Sequence, residues 1–253
     1  MPFLINFKTL LIELRVFYIS TIMKKYLSFC IILTVVFSFS QENTIKVVYT
    51  KAVKKITDNN NNPPELINGI NYFLLANANE SLFYFDKKLD TDYDSRKRLI
   101  NRAGGGSVYF VNYKDSVKLE QTNFADDIFL IKKPLNEYTW KITNEFKEIN
   151  DFKCLKATTE YETYSELRKK TIKFKIIAWF SYDIPYRFGP AGFNGLPGLI
   201  LELQNGGFYY IATKISKTKT SKIEAPKNGK KITQKEFDEF VTTSTRDRYN
   251  IKN

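Results

Sequence analysis

Read as apolar and polar positions, the chain from residue 44 onward is a series of short runs rich in β-branched and aromatic residues. Thr44–Thr50 (TIKVVYT), Ile70–Ala76 and Ser81–Asp86 come first. Ser107–Tyr113 and Ser116–Asn123 flank Lys114-Asp115, which reads as a hairpin turn. Ile128–Ile131, Tyr138–Thr143, Phe152–Tyr161, Thr171–Tyr182, Leu199–Leu203 and Phe208–Ile215 bring the expected strands to about eleven. Ile172, Phe174 and Ile176 alternate with Lys173 and Lys175, which sets one face on a core and the other in water. Asn205-Gly206-Gly207 is a strong hairpin signal, and Glu162–Lys170 separates two further strands. Helical crossovers are missing between the runs, so the pairing is expected to be antiparallel.

One helix is expected, over 233–248. Thr233 and Glu236 form the T-x-x-E capping box, with Ile232 and Phe237 placed for a hydrophobic staple. Phe237, Phe240 and Val241 supply its apolar stripe. The expected fold class is therefore mainly β: a twisted antiparallel sheet or half-open barrel with one C-terminal α-helix. Two polar stretches, Asp58–Pro64 and Lys87–Gly106, read as loops, the second long enough to serve as a lid.

The N-terminus changes which residues count. Met23-Lys24-Lys25 is a basic start, Tyr26–Phe39 is apolar, and Ser38-Phe39-Ser40 precedes the polar Gln41-Glu42-Asn43. That is the layout of a secretory signal peptide over 23–40. The uncharged run ends at Gln41, short for a membrane span of about 20 residues. Cys30 lies inside the run, not at its end, which argues against a lipoprotein site. Residues 1–22 then read as an extension of the gene model, the alternative being a genuine N-terminal helix. Cleavage after Ser40 leaves about 213 of the 253 residues as one domain, 41–253, and lowers the net charge from +12 to about +9. It also leaves Cys154 as the sole cysteine, so no intramolecular disulfide forms.

Composition then removes whole classes of chemistry. The chain has no histidine, which excludes Ser/His/Asp and Cys/His machinery and any imidazole metal site. No catalytic residue, metal site or cofactor is assigned. Among carboxylates, Asp90, Asp92 and Asp94 lack the glycine and terminal glutamate of a calcium loop. Asp126-Asp127 is a second small acidic cluster, and nothing in the sequence pairs Glu160, Glu162 or Glu202 across a cleft. Cys154, in a strand-like segment beside Lys153 and Lys156, reads as a buried thiol.

Glycine and proline concentrate between Trp179 and Leu203, WFSYDIPYRFGPAGFNGLPGLILEL. Such a backbone follows a defined irregular path, with Pro197-Gly198 suited to the centre of a type II turn. The segment resembles the GLPGLI family of secreted proteins from Bacteroidota. It carries the hexapeptide Gly195–Ile200, preceded by Trp179, Asp183-Ile184-Pro185, Gly189-Pro190 and Phe193. Upstream, Trp140-Lys141-Ile142 and Phe152–Ala157 also look like the family. The resemblance implies a secreted, mainly-β protein and no particular activity.

Two readings of the segment stand side by side. One is a structural crossover between strands. The other is a ligand groove lined by Tyr182, Tyr186, Phe188, Gly189, Pro190, Phe193, Gly195, Leu196, Pro197 and Gly198. Eight lysines between Lys214 and Lys235, with Glu224 as the one acid, form a lysine-rich connector over 214–231 that suits an anionic surface. The expected function is that of a secreted, periplasmic or extracellular, non-enzymatic binding or envelope-associated protein. Its partner would be an apolar ligand or an envelope protein and not nucleic acid, and the mature chain would carry no transmembrane span. A carboxylate-dependent hydrolase and a purely structural surface protein are the alternatives.

Overall fold

The computed structural model describes residues 15, 17–26, 44–53, 65–85, 106–165, 170–218 and 222–248. The chain divides into two units, Met1–Glu42 and Asn43–Asn253. In the first, residues 17–26 form helix α1, on which Phe17, Tyr18, Ile19, Met23 and Tyr26 are exposed. The expected signal segment overlaps this helix at 23–26, and residues 27–40 lie outside the described residues. So do Asp58–Pro64, and all of Lys87–Gly106 except Gly106. Among the described residues no helix is long and apolar enough to cross a membrane.

The second unit is a twelve-stranded sheet with a C-terminal helix. Its strands are β1 (Thr44–Val53), β2 (Glu65–Ala76), β3 (Glu80–Phe85), β4 (Val108–Asn112), β5 (Val117–Phe124) and β6 (Asp127–Lys132). They continue as β7 (Lys141–Ile149), β8 (Phe152–Ser165), β9 (Lys170–Ser181), β10 (Leu199–Asn205), β11 (Phe208–Thr218) and β12 (Lys230–Thr233). The helix, α2, is Gln234–Arg248. The order across the sheet is β12-β6-β5-β4-β3-β2-β1-β11-β10-β9-β8-β7. Two antiparallel meanders, β1 to β6 and β7 to β11, therefore join where β1 pairs with β11. The sheet is mainly antiparallel and unclosed, with β12 and β7 at its ends.

One pair departs from the expected pattern. β12 runs parallel to β6, pairing Lys230 with Phe129 and Thr233 with Lys132. A parallel partner needs a long connection, and here the connection includes five other strands. Nothing local in Lys-Lys-Ile-Thr announces it. The lysine-rich connector over 214–231 is accordingly corrected. Its first residues continue β11, where Lys214 pairs with Val48 and Lys217 with Ile45, and its last belong to β12. β11 and β12 are seven strand positions apart, about 33 Å along the sheet. The lysine run is thus divided between the sheet centre and one edge.

Chain length shows that the sheet is strongly curled. From β6 to β7 is ten strand positions, about 48 Å if the sheet were flat. Residues 133–140, which make that connection, reach only about 30 Å fully extended. They lie against the face that carries the core, here called the inner face. Tyr138 and Trp140, expected at a strand start, belong to this crossing. Tyr138 stacks on Phe193 with ring centroids 4.6 Å apart, and the Trp140 indole N–H donates to the Asn194 carbonyl at 2.9 Å.

Period-two alternation supplies the inner face. Ile45, Val47 and Tyr49 of β1, Tyr72, Leu74 and Ala76 of β2, and Ile176, Ala178 and Phe180 of β9 are all buried in one core cluster. The helix follows its sequence signals. The Thr233 N–H donates to the Glu236 carboxylate at 2.7 Å, and the Glu236 N–H to Thr233 Oγ1 at 3.3 Å, a closed capping box. Phe237 and Phe240 then pack on Phe124 and Phe129, with ring centroids 5.1–6.2 Å apart.

Candidate functional site

The glycine-rich segment joins the adjacent strands β9 and β10, yet residues 182–198 do not make a short turn. They fold onto the inner face. Ile184, Phe188, Phe193 and Leu196 are buried in the core cluster. Burial of an apolar side chain of this size contributes about 1.5–3 kcal/mol. The path is fixed by backbone bonds: Leu199 N–H to Ile184 O at 2.9 Å, Ile200 N–H to Phe188 O at 3.0 Å, and Gly195 N–H to Arg187 O at 3.0 Å. The Tyr49 hydroxyl donates to Ile200 O at 2.6 Å and ties β1 to the same strand.

Of the ten residues considered as a ligand groove, Phe188, Gly189, Pro190, Phe193, Leu196 and Gly198 are buried, and Tyr186 and Gly195 are half-buried. Tyr182 and Pro197 are exposed. The type II turn at Pro197-Gly198 is corrected, because Gly198 does not adopt the positive φ that such a turn requires at its third position. Glycine is needed there for proximity instead. A Cβ on Gly198 would lie 2.0 Å from the Ser181 carbonyl oxygen. Left-handed backbone occurs nearby, at Ala191, Gly192 and Gly195.

Asn194, buried at the tip of the segment, locks it to the rest of the inner face. Its side-chain amide donates to the Tyr113 hydroxyl and to Leu135 O, each at 3.0 Å, and its carbonyl accepts from Lys118 Nζ at 3.3 Å. Lys118 also pairs with Glu137 at 2.5 Å and lies 4.6 Å from the Tyr138 ring centre. One asparagine thus ties together β5, the 133–140 crossing and the glycine-rich segment.

Beside this filled region the inner face holds a cavity of about 410 Å³. Its wall is built from both halves of the sheet, with Lys51 of β1, Tyr109 of β4, Glu120 of β5 and Tyr210 of β11 among the lining residues. Glu137, Tyr138 and Phe193 border it, as do Gln234 and Phe237 of α2. Of the ten groove residues, Phe193 is the one that lines it. The volume lies in the range of small-molecule sites.

Lys51 is the unusual group. It falls in phase with Ile45, Val47 and Tyr49, so the pleat of β1 turns it to the inner face, where it is 3% exposed. Its ammonium donates to the Tyr210 hydroxyl at 3.0 Å. It lies 4.7 Å from the ring centres of Phe208 and Tyr210 and 5.9 Å from that of Tyr72. Among the described residues no carboxylate is ion-paired with it. Burial pushes its amine down to about 8. Aromatic faces offset part of the cost of desolvating the cation, but they do not neutralise it.

The other ionised groups of the cavity are matched. Glu120 pairs with Lys133 at 2.6 Å. Burial lowers the Lys133 amine, but the Glu120 and Glu137 carboxylates outweigh it and hold it above its usual range. Lys118 is lowered by burial, partly offset by Glu137. Tyr109 is held well above the usual phenol range by burial and then by Glu120, and Tyr138 by burial and then by Glu137.

The remaining candidates are placed apart. Cys154 is a buried free thiol, pushed up to about 11 by burial. Glu202 pairs with Lys147 at 2.7 Å, Glu162 with Lys173 at 2.7 Å, and Asp127 with Lys230 at 2.7 Å. Glu160 lies on β8 opposite Lys175 of β9. Asp90, Asp92 and Asp94 lie outside the described residues. Among the described residues no group of three or more acidic or cysteine side chains is placed to hold a metal ion.

Comparison with known proteins gives a match to a family model over a short stretch and a likeness of fold. A family model described as "Protein of unknown function (Porph_ging)" matches residues 160–202. That stretch runs from β8 through β9 to the hexapeptide at the start of β10 and includes Gly198, where a Cβ would meet the Ser181 carbonyl. The family whose model matches is one of unknown function. No curated protein sequence matches. Two solved structures, titled "Structure of PNGF-II in P21 space group" and "Structure of PNGF-II in C2 space group", are similar at TM-scores of 0.50 and 0.52 and 16% identity. The match covers 80% of this chain but 34% and 33% of those chains, so this chain spans about a third of their length. At that identity the likeness is one of fold.

Proposed function

We propose that this is an exported, non-enzymatic binding or envelope-associated protein of the GLPGLI type, whose ligand is a small organic anion with a flat apolar body. The observation that carries this reading is Lys51: a cation at a core position, boxed by aromatic rings, on the wall of a cavity of about 410 Å³, with no carboxylate partner among the described residues. A buried cation left unmatched costs several kcal/mol. A carboxylate ligand would supply the missing charge, while Phe193, Phe208 and Tyr210 would take the apolar body. Export to the periplasm or beyond is supported by the basic-apolar-polar layout of residues 23–43.

The test is a thermal-shift series with benzoate, indole-3-acetate and decanoate, each against its methyl ester. The acids are expected to raise the melting temperature and the esters not. Lys51→Met is expected to remove the acid-specific shift. Equal shifts with acid and ester, or acid-specific shifts that persist in Lys51→Met, contradict the reading. Glu120 and Glu137 on the same cavity favour a carboxylate-dependent hydrolase as the competing reading. Each is bound to a lysine and not to the other, so general acid–base work would first require breaking an ion pair. Hydrolysis of a glycoside lost in Glu120→Gln or Glu137→Gln would favour the enzyme.

A further inference from the structure

A second cavity lies away from the inner face. It is an open groove of about 550 Å³ at the β5–β6–β12 end of the sheet. Leu119 of β5, Leu130 of β6 and Pro226 form its floor, and Ile232 of β12 borders it. In register, Leu119 faces Lys132, and Leu130 faces Gln121 and Lys231, so these residues occupy the outer face, opposite Glu120 and Ile131. The Gln121 side-chain amide holds the segment before β12 by donating to Asn228 O at 2.7 Å.

The rim is cationic. Lys132, Lys227 and Lys231 line the groove, are exposed, and are not ion-paired among the described residues. One acid, Glu236, also lines the groove, and the other neighbouring acids are ion-paired. Glu236 accepts from both the N–H and the hydroxyl of Thr233 at 2.7 Å, Asp127 pairs with Lys230, and Glu224 pairs with Lys222 at 3.0 Å. An apolar floor bordered by three exposed lysines and one carboxylate is net cationic, and it matches one kind of molecule in both respects: an acyl chain below an anionic headgroup.

We infer that this groove seats an anionic phospholipid of a bilayer surface, the acyl chain over Leu119, Leu130 and Pro226 and the headgroup phosphate among Lys132, Lys227 and Lys231. Only this edge of the sheet takes part. Lys214 and Lys217 lie on β11, seven strand positions away, and serve as an internal control. The site depends on the export reading only for which membrane it meets, and lipid binding by the purified protein is independent of that reading and of the Lys51 cavity.

The experiment is co-sedimentation with vesicles of phosphatidylglycerol mixed into phosphatidylcholine, against pure phosphatidylcholine, at near-physiological salt. The protein is expected to bind the mixed vesicles and not the neutral ones. Replacing Lys132, Lys227 and Lys231 together by Gln should lower the bound fraction about tenfold, each lysine near the surface being worth about 1 kcal/mol before screening. Replacing Lys214 and Lys217 by Gln should leave it within about twofold. Pro226→Asp, which puts a charge on the floor without touching the lysines, should lower binding while preserving the melting curve. The inference is overturned if the two sets of lysine variants lose binding equally, if Pro226→Asp binds as the parent does, or if inorganic phosphate at a few millimolar displaces the protein completely. The last result would identify a free-phosphate site and not a lipid.

Discussion

Two regions of the inner face lie side by side and were built on opposite principles. Around residues 182–198 the sheet is filled: Phe188 and Leu196 are buried, Asn194 has every amide group bonded, and backbone meets backbone at Gly198. Around Lys51 the sheet is left open, and a charge is placed where packing alone would favour an apolar residue. The first arrangement favours stability and one defined path. The second costs stability, and such costs concentrate where a molecule has something to bind. The conspicuous sequence signal lies in the filled region, whereas the candidate site rests on one lysine in an ordinary strand.

The sharpest way to break the filled region is Gly198→Val. A Cβ cannot occupy a point 2.0 Å from Ser181 O, so β9 and β10 must separate. The expected loss is about 3 kcal/mol or more, a fall in melting temperature of about 6–12 °C in a thermal scan. A fall under 2 °C would mean that the close approach is not a constraint. Next is Asn194→Ala, which removes the side-chain donor to Leu135 O and one bond each from the Tyr113 hydroxyl and Lys118, which keep Arg187 O and Glu137. About 2–3 kcal/mol of destabilisation by chemical denaturation is expected.

At the open region the expected sign reverses. Lys51→Met replaces a desolvated cation by an apolar side chain of similar length and should stabilise the fold by about 1–3 kcal/mol while abolishing anion binding. In the parent, the Lys51 amine is lower folded, at about 8, than unfolded, near 10.5. Between those values the unfolded chain binds more protons, so stability should rise with pH over that window, and Lys51→Met should flatten the rise. Denaturation midpoints at pH 7.5, 9 and 10.5 check this, and a fall across the window would contradict it. The smallest effect belongs to Thr233→Ala, which removes the side-chain half of the α2 cap and should cost about 0.5–1 kcal/mol without altering the inner face.

Much of the fold was legible. Ten strands follow the expected runs of β-branched and aromatic residues, whereas β7 (Lys141–Ile149) shares only residues 141–143 with its expected run, because its polar sequence carries no such signal. The α2 boundary was legible because Thr233 and Glu236 act within one turn. β12 was not, since its partner β6 is about 100 residues away and its pairing is set by where the sheet edge lies. The role of Gly198 was misread as a turn because sequence reports that glycine is tolerated, not whether φ or proximity demands it. Lys51 could have been found from the phase of Ile45, Val47 and Tyr49, but a lysine ending an alternating run reads as a solvated position unless the neighbouring strands are known. The cavity around it draws residues from β1, β4, β5, β8, β10 and β11, and no local pattern encodes that meeting.

The central claim is that Lys51 is a buried cation awaiting an anion. It is tested most directly by NMR titration of the Lys51 side chain in the parent protein, alone and with saturating indole-3-acetate. The account predicts titration near 8 in the free protein, a shift of a unit or more upward with the acid, and affinity that falls about tenfold per pH unit once the amine deprotonates. A lysine that titrates near 10.5 and does not respond to the acid would contradict it.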